Sequence, residues 1–237
     1  LISGATLALT RAMREWSKDV FPPTVLTVRP RTQDVGLFGF HLAVPQGQIT
    51  GEALRELESL PMVRHVYPVV VITFPTNAEA SFMGSDFGSD AVVAGIDEDL
   101  VRSEVASSER FGPVDWQAGQ EVPVLLSSYF LDLYNLMYAR TIGAPQLSER
   151  TILGFTFDLH LNESVLGGAL ARGPTRTVRC RIVGLTRNPQ LLGVTIPRQT
   201  AEEMQQWYAE ATHVSDASRA GYAFVEVDST EAIEALR

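Results

Sequence analysis

Thiols and lysines are almost missing from this chain: Cys180 is its one cysteine and Lys18 its one lysine. A single cysteine excludes an internal disulfide and a cysteine-built zinc cage. A single lysine, outside any Gly-Lys-Ser/Thr context, excludes a Walker-type nucleotide loop and argues against a lysine Schiff base. Any ATP-driven step therefore needs its motor elsewhere. Positive charge is short in general, with 19 Lys and Arg against 28 Asp and Glu and a formal net charge of −9. The arginines are dispersed, so no basic stripe serves nucleic acid or an anionic bilayer. Apolar runs are short as well, none nearing the ~18 residues of a spanning helix.

What the chain does have is an ordinary globular balance, 45% hydrophobic and 20% charged over 237 residues, enough for one large or two small domains with a real core. Leu9, Ala12, Met13, Trp16 and Val20 recur at helical spacing and predict a helix over 5–20, broken by "FPP". "TVLTVRP" predicts a strand, 36–48 has no secure assignment, and "TGEALRELESL" predicts a helix capped by Thr50. "VRHVYPVVVITFP" then returns as strand. The far end repeats the order: "LLGVTIP" as strand, "RQTAEEMQQWYAEA" as helix with Thr200 and Glu203 as a capping box, "GYAFVEVDS" as strand, and a last helix from Ser229 or Thr230.

Between these ends the pattern is mostly β. "AVVAGID" and "VPVLLSS" predict strands, and "YFLDLYNLMYAR" predicts a helix with Phe130, Leu133, Tyr134 and Met137 turned inward. In "ILGFTFDLHLNES" Phe155, Phe157, Leu159 and Leu161 alternate with Thr156, Asp158, His160 and Asn162, and "TRTVRCRIVGLT" predicts a hairpin partner with Cys180 on its apolar side. The expected fold class is α+β: an outer layer from both chain ends, 1–80 and 191–237, with a mostly β insertion over 81–190.

Candidates for chemistry are few. The letters "DFG" inside "GSDFGSD" lack the other kinase segments, and Asp86 and Asp90 with Asp97, Glu98 and Asp99 lack EF-hand spacing. Gly84 and Gly88 in that stretch suit a hinge. His41, His65, His160 and His213 form no His-Glu-x-x-His pair; Asp158 and His160 share a strand face as either an acid/base pair or solvent-facing residues. No Gly-x-Ser-x-Gly elbow is present. Trp116, in "GPVDWQAGQ" without periodic support, is the expected exposed contact residue. No catalytic, metal or cofactor residues are assigned.

The run "PVLLSSYFLDLYNLMYARTIGAPQLS", then "FTFDLHLNES", then "RTVRCRIVGLTRNPQLLGVTIPRQTAEEMQQW", with "AVVAGID" before it, resembles the MacB-like periplasmic core domain of ABC-transporter permeases, the group of FtsX-like and lipoprotein-releasing permeases. The resemblance implies a porter-like outer layer with a Sabre-like insertion at 81–190. It also implies a non-enzymatic domain on the periplasmic side of a bacterial inner membrane, within a full-length integral membrane protein whose adjoining helices flank both ends of this chain. It implies a cytoplasmic ATPase and a second permease subunit as partners, with a periplasmic protein or lipoprotein as what the domain handles. A stand-alone secreted hydrolase or ligand-binding module is the alternative reading. The resemblance further implies that the N- and C-terminal helices lie side by side at one end.

Overall fold

The computed structural model describes residues 24–30, 32–37, 40–45, 49–82, 85–142, 145–165, 173–213, 220–229 and 232–233. The helix expected over 5–20 lies outside them. The fold is α+β. Its strands are β1 (Val25–Val28), β2 (Thr32–Leu37), β3 (Phe40–Pro45), β4 (Val63–Val71), β5 (Thr76–Phe82), β6 (Ser85–Asp90), β7 (Val93–Ile96), β8 (Val122–Ser127), β9 (Thr156–Leu161), β10 (Arg176–Thr186), β11 (Val194–Pro197) and β12 (Tyr222–Val227). The main helices are α1 (Gly51–Glu58), α2 (Ser128–Leu133) and α3 (Arg198–Thr212). β2 and β3 pair as a separate antiparallel ladder, so 36–37 and 40–45 of the stretch that the sequence left unassigned are strand, and 38, 39 and 46–48 lie outside the described residues.

Ten strands form one mixed sheet in the order β1-β12-β4-β7-β11-β8-β10-β9-β5-β6. That order forces the sheet to curl. β6 and β7 stand six places apart, about 29 Å in a flat sheet, yet only Ala91 and Val92 join them, a reach of about 11 Å at most. The two meet because β4–β5 and β6–β7 are two arms of one long bent hairpin. Val71 pairs with Ala94 and Asn77 with Asp90, while Ile72 N–H donates to Val93 O and Ala91 N–H to Thr76 O across the bend. Ser85–Asp90, the described part of "GSDFGSD", is the strand of the returning arm.

Alternation distributes the core. On β12, Ala223, Val225 and Val227 face one cluster with Val66 and α1's Ala53, Leu54 and Leu57, whereas Phe224 faces another with Tyr67, Val69, Phe111 and Leu191. Thr50 caps α1 as expected, its Oγ1 accepting from Ala53 N–H at 3.2 Å. The largest cluster fills the curl: Phe157, Leu159 and Leu161 from β9, Val178, Cys180 and Ile182 from β10, and Ala201 and Met204 from α3. The alternation read for β9 holds from Thr156 to Leu161, whereas Asn162, read on the polar face, is buried just past the strand end at φ +61°. Cys180 is buried as expected, and burial pushes its thiol far above its usual range.

One helix boundary differs from the expectation. α3 begins at Arg198, directly after Pro197, so Thr200 lies in the first turn rather than at the cap. It is fully buried and makes no hydrogen bond through Oγ1. A proline at the end of β11 ends the ladder and starts the helix at once, which overrides the Thr200–Glu203 capping signal.

Candidate partner-docking surface

The strands have two distinguishable ends. β12 and β1 are antiparallel, and Val227 N–H donates to Thr24 O at 2.9 Å, so the two arms of the chain meet at one edge of the sheet. Val63, the start of β4, stands at that edge too, opposite Val227. β4 runs away from it for nine residues, about 30 Å. At its far end lie the start of β7, the start of β11 and the end of β8, since Val71 pairs with Ala94 and Val194 pairs with both Val93 and Leu126.

The exposed large hydrophobic residues among the described ones gather at this far edge: Val92, Phe130, Leu133, Leu136, Val165 and Leu192. Val92 precedes β7, Leu192 precedes β11, and α2 leaves β8. Backbone bonds tie these segments together, with Val194 N–H to Val92 O at 2.9 Å and Ser127 N–H to Gly193 O at 3.0 Å. The approach is so close that a Cβ on Gly193, whose φ is +115°, would sit 2.2 Å from Val92 O; glycine is required there. Val165 is linked through Asp90, whose carboxylate accepts from Ser164 Oγ–H and Val165 N–H, each at 2.7 Å.

α2 corrects the sequence expectation. Phe130 and Leu133, read as inward, are 40% and 51% exposed, and Leu136 is 62% exposed. The buried side instead carries Leu131 and Ala139. After Leu133 the chain widens into a π-helical stretch, Tyr134–Ala139. Asn135 holds this turn inward, its Nδ2 donating to Leu147 O and its Oδ1 accepting from Leu147 N–H, both at 2.7 Å. Tyr134 packs edge-on to Phe87 of β6. With a polar residue satisfied on the inside, Phe130, Leu133 and Leu136 are left exposed.

Trp116 is the second correction. It is 2% exposed, edge-on to Trp207 with 6.1 Å between ring centroids, and covered by the Arg176 guanidinium at 5.1 Å. Residues 116–119 form a turn, and nothing periodic in a turn tells which way an indole points. The ring buries itself between loop and α3 because of its large apolar area. In this arrangement it offers no surface to a partner.

Asp158 and His160, the pair read on the polar face of β9, are held by different partners. Asp158 pairs with Arg179 at 2.9 Å. His160 bonds Thr177 Oγ1 through Nδ1 at 3.0 Å and Glu79 through Nε2 at 3.1 Å. Each group is engaged by a cross-strand neighbour, the usual stabilisation of a sheet face. Asp86 accepts from Ser81 Oγ–H at 2.6 Å. Asp97 is bound by Arg198 Nε at 2.8 Å, and Arg198 also grips Glu202 at 2.6 Å. No group of three metal-ligating side chains occurs among the described residues. Gly88 stands within β6 opposite Glu79, and Gly84 lies outside the described residues.

Sequence reasoning passed over Gln205 and Glu104. Gln205 is buried on α3, accepting from Thr73 Oγ1 at 3.2 Å and donating to Val71 O at 3.1 Å, so it latches the helix to the bend of the long hairpin. A glutamine beside Met204 in an apolar stripe was the available signal. Glu104 lies against β10, its carboxyl raised above the usual range by burial, opposed by hydrogen bonds from the Thr186 hydroxyl and the Arg187 backbone.

Residues 41–235 match the family described as PCD-like, probable transporter periplasmic core domain. The chain belongs to that family. Among solved structures it is similar to the periplasmic region of MacB from Actinobacillus actinomycetemcomitans, at 15% identity and a TM-score of 0.45, covering 92% of this chain and 83% of that one. It is also similar to the extracellular domain of the noncanonic ABC-type transporter YknZ from Gram-positive bacteria (14%, TM-score 0.42, 89% and 87% covered). A permease-protein domain from Porphyromonas gingivalis is likewise similar (14%, 0.39, 91% and 80%). No curated protein matches significantly. No helix among the described residues is long and apolar enough to cross a membrane.

Proposed function

We propose that this chain is the extracytoplasmic domain of an ABC-type permease subunit, non-catalytic, which carries the motion of adjoining membrane helices to a substrate or partner protein. The observation that supports this most directly is the meeting of Thr24 and Val227 at one edge of the sheet, with the exposed apolar residues at the other. Two arms leaving side by side suit a domain held to a bilayer at one point, and a curled sheet clamped by Gln205 and Arg198 suits a stiff transmitter. On this reading 1–80 with 191–237 form the porter-like part and 81–190 the Sabre-like part, with the long hairpin shared between them. The cytoplasmic ATPase and a second permease subunit act through the membrane helices. Separate engagement of Asp158 and His160 gives the hydrolase alternative no observation in its favour.

The test is single-site thiol labelling in the full-length protein. Cys180 is fully buried and silent, so Leu136→Cys supplies the reporter. A membrane-impermeant maleimide is expected to label it in cells whose inner membrane is intact. Labelling that requires disruption of that membrane overturns the proposal.

A further inference from the structure

We propose that the turn carrying Trp116 is a lid over a binding recess for a flat aromatic anion, and that the indole is the built-in occupant of that recess. Within 115–121 Trp116 alone is buried; Asp115 and 117–121 are exposed. Its ring lies edge-on to Trp207 at 6.1 Å between centroids, Trp207 meets Phe74 at 6.2 Å, and Phe74 stacks on Tyr208 at 4.5 Å. Lifting the indole bares Trp207, with Phe74 and Tyr208 behind it as an aromatic backing. Two observations set this indole apart from an ordinary core side chain. Its Nε1–H is buried and meets no acceptor among the described residues, a cost that water removes once the ring leaves. The turn also closes on itself: Asp115 N–H donates to Gln120 Oε1 at 3.1 Å, Ala118 N–H to Asp115 Oδ1 at 3.0 Å and Gln120 N–H to Asp115 O at 3.2 Å. Among the described residues its hydrogen bond to the rest of the fold comes from Arg176, which donates to Gln117 O at 2.7 Å. A self-bonded turn with so little outside bonding swings as a unit.

Arg176 selects the charge of the ligand. β10 places it on the inward row with Val178, Cys180 and Ile182, where alternation calls for an apolar residue. Arg179 and Arg181 on the same strand, and Arg187 just past it, are each paired with a carboxylate, from Asp158, Glu109 and Glu149 respectively. Arg176 has no carboxylate partner among the described residues; it covers the Trp116 ring at 5.1 Å and holds the Gln117 carbonyl instead. When the lid opens, the guanidinium gives up both. A ligand that replaces them brings an aromatic ring to Trp207 and an anionic group to the arginine fork. An aromatic carboxylate or sulfonate meets both demands, whereas a cation or an aliphatic chain leaves one of them unmet.

Fluorescence titration of the 237-residue chain with 8-anilinonaphthalene-1-sulfonate, beside the neutral N-phenyl-1-naphthylamine, tests this. A closed lid lowers apparent affinity by the fraction of time it stands open, so Trp116→Ala is expected to bind the sulfonate about tenfold more tightly than the unaltered chain. Asp115→Ala with Gln120→Ala loosens the turn but keeps the indole, and is expected to tighten binding severalfold. Arg176→Gln added to Trp116→Ala is expected to weaken sulfonate binding about tenfold and leave the neutral probe unaffected. That dependence on Arg176 separates the recess from the exposed apolar residues at the far edge of the sheet. Urea unfolding is followed in parallel, because a molten chain also binds the sulfonate; if Trp116→Ala loses its cooperative transition, the turn variant decides, with Arg176→Gln added to it. No gain in a folded Trp116→Ala chain, no gain in the turn variant, or sulfonate binding indifferent to Arg176→Gln overturns the proposal.

Discussion

Helices α2 and α3 carry similar amphipathic signatures and meet opposite fates. α3 lays Ala201 and Met204 into the largest core cluster and pins itself with Gln205, whereas α2 turns Phe130 and Leu133 to solvent, and the π-helical stretch after it turns out Leu136. The difference lies in what covers them. α3 crosses the curl of the sheet so closely that a Cβ on Gly95 of β7 would stand 2.3 Å from the Ala201 Cβ. α2 projects past the end of β8, where only its Leu131 and Ala139 side finds the sheet. An apolar stripe records that a helix has a face to bury; the neighbouring elements decide whether the same chain buries it.

Unfolding measurements sharpen this contrast. The largest effect is expected for Met204→Ala, a fully buried side chain, at about 2–5 kcal/mol lost in urea denaturation; the matched Leu136→Ala is expected to stay within about 0.5 kcal/mol. Equal losses would mean that α2 is part of the core after all. Gly95→Ala comes next, since Ala201 and the Arg198 backbone leave no room for a methyl: about 1–3 kcal/mol, with α3 displaced. A neutral result would show that α3 rides loosely on β7. Gln205→Ala leaves Val71 O and the Thr73 hydroxyl without their latch, and is expected to cost about 1–3 kcal/mol while raising hydrogen exchange at the bend of the long hairpin.

A smaller, pH-dependent contrast lies at Glu104. Burial raises its folded carboxyl above the usual glutamate range, so the folded state holds the proton more tightly than the unfolded one, below whose titration both forms are protonated. Its contribution is thus fully present below that titration and lost as pH rises through the folded one. Glu104→Gln is expected to flatten this part of the stability–pH profile, and an unaltered slope would remove Glu104 as its source.

Much of the fold was legible in the residues. Period-two alternation marked β9 and its Cys180-bearing partner β10, because one face of each is buried and the other wet. Thr50 announced α1 through the bond its hydroxyl makes locally. Trp116 was not legible, since a turn has no period to orient an indole. Nor was the partition of α2, where Asn135 against Leu147 decides the inward side through a contact 12 residues away.

The family signature was likewise contained in the chain itself, in "TVRCRIVG" and in "VTIP". Local periodicity and composition are properties of neighbouring residues, so they survive without a fold. Which stripe stays open, which indole is covered and where the two arms meet depend on pairing between distant segments, as between Thr24 and Val227 or Val92 and Gly193. Only the curled sheet brings those segments together, because its short links forbid the flat arrangement.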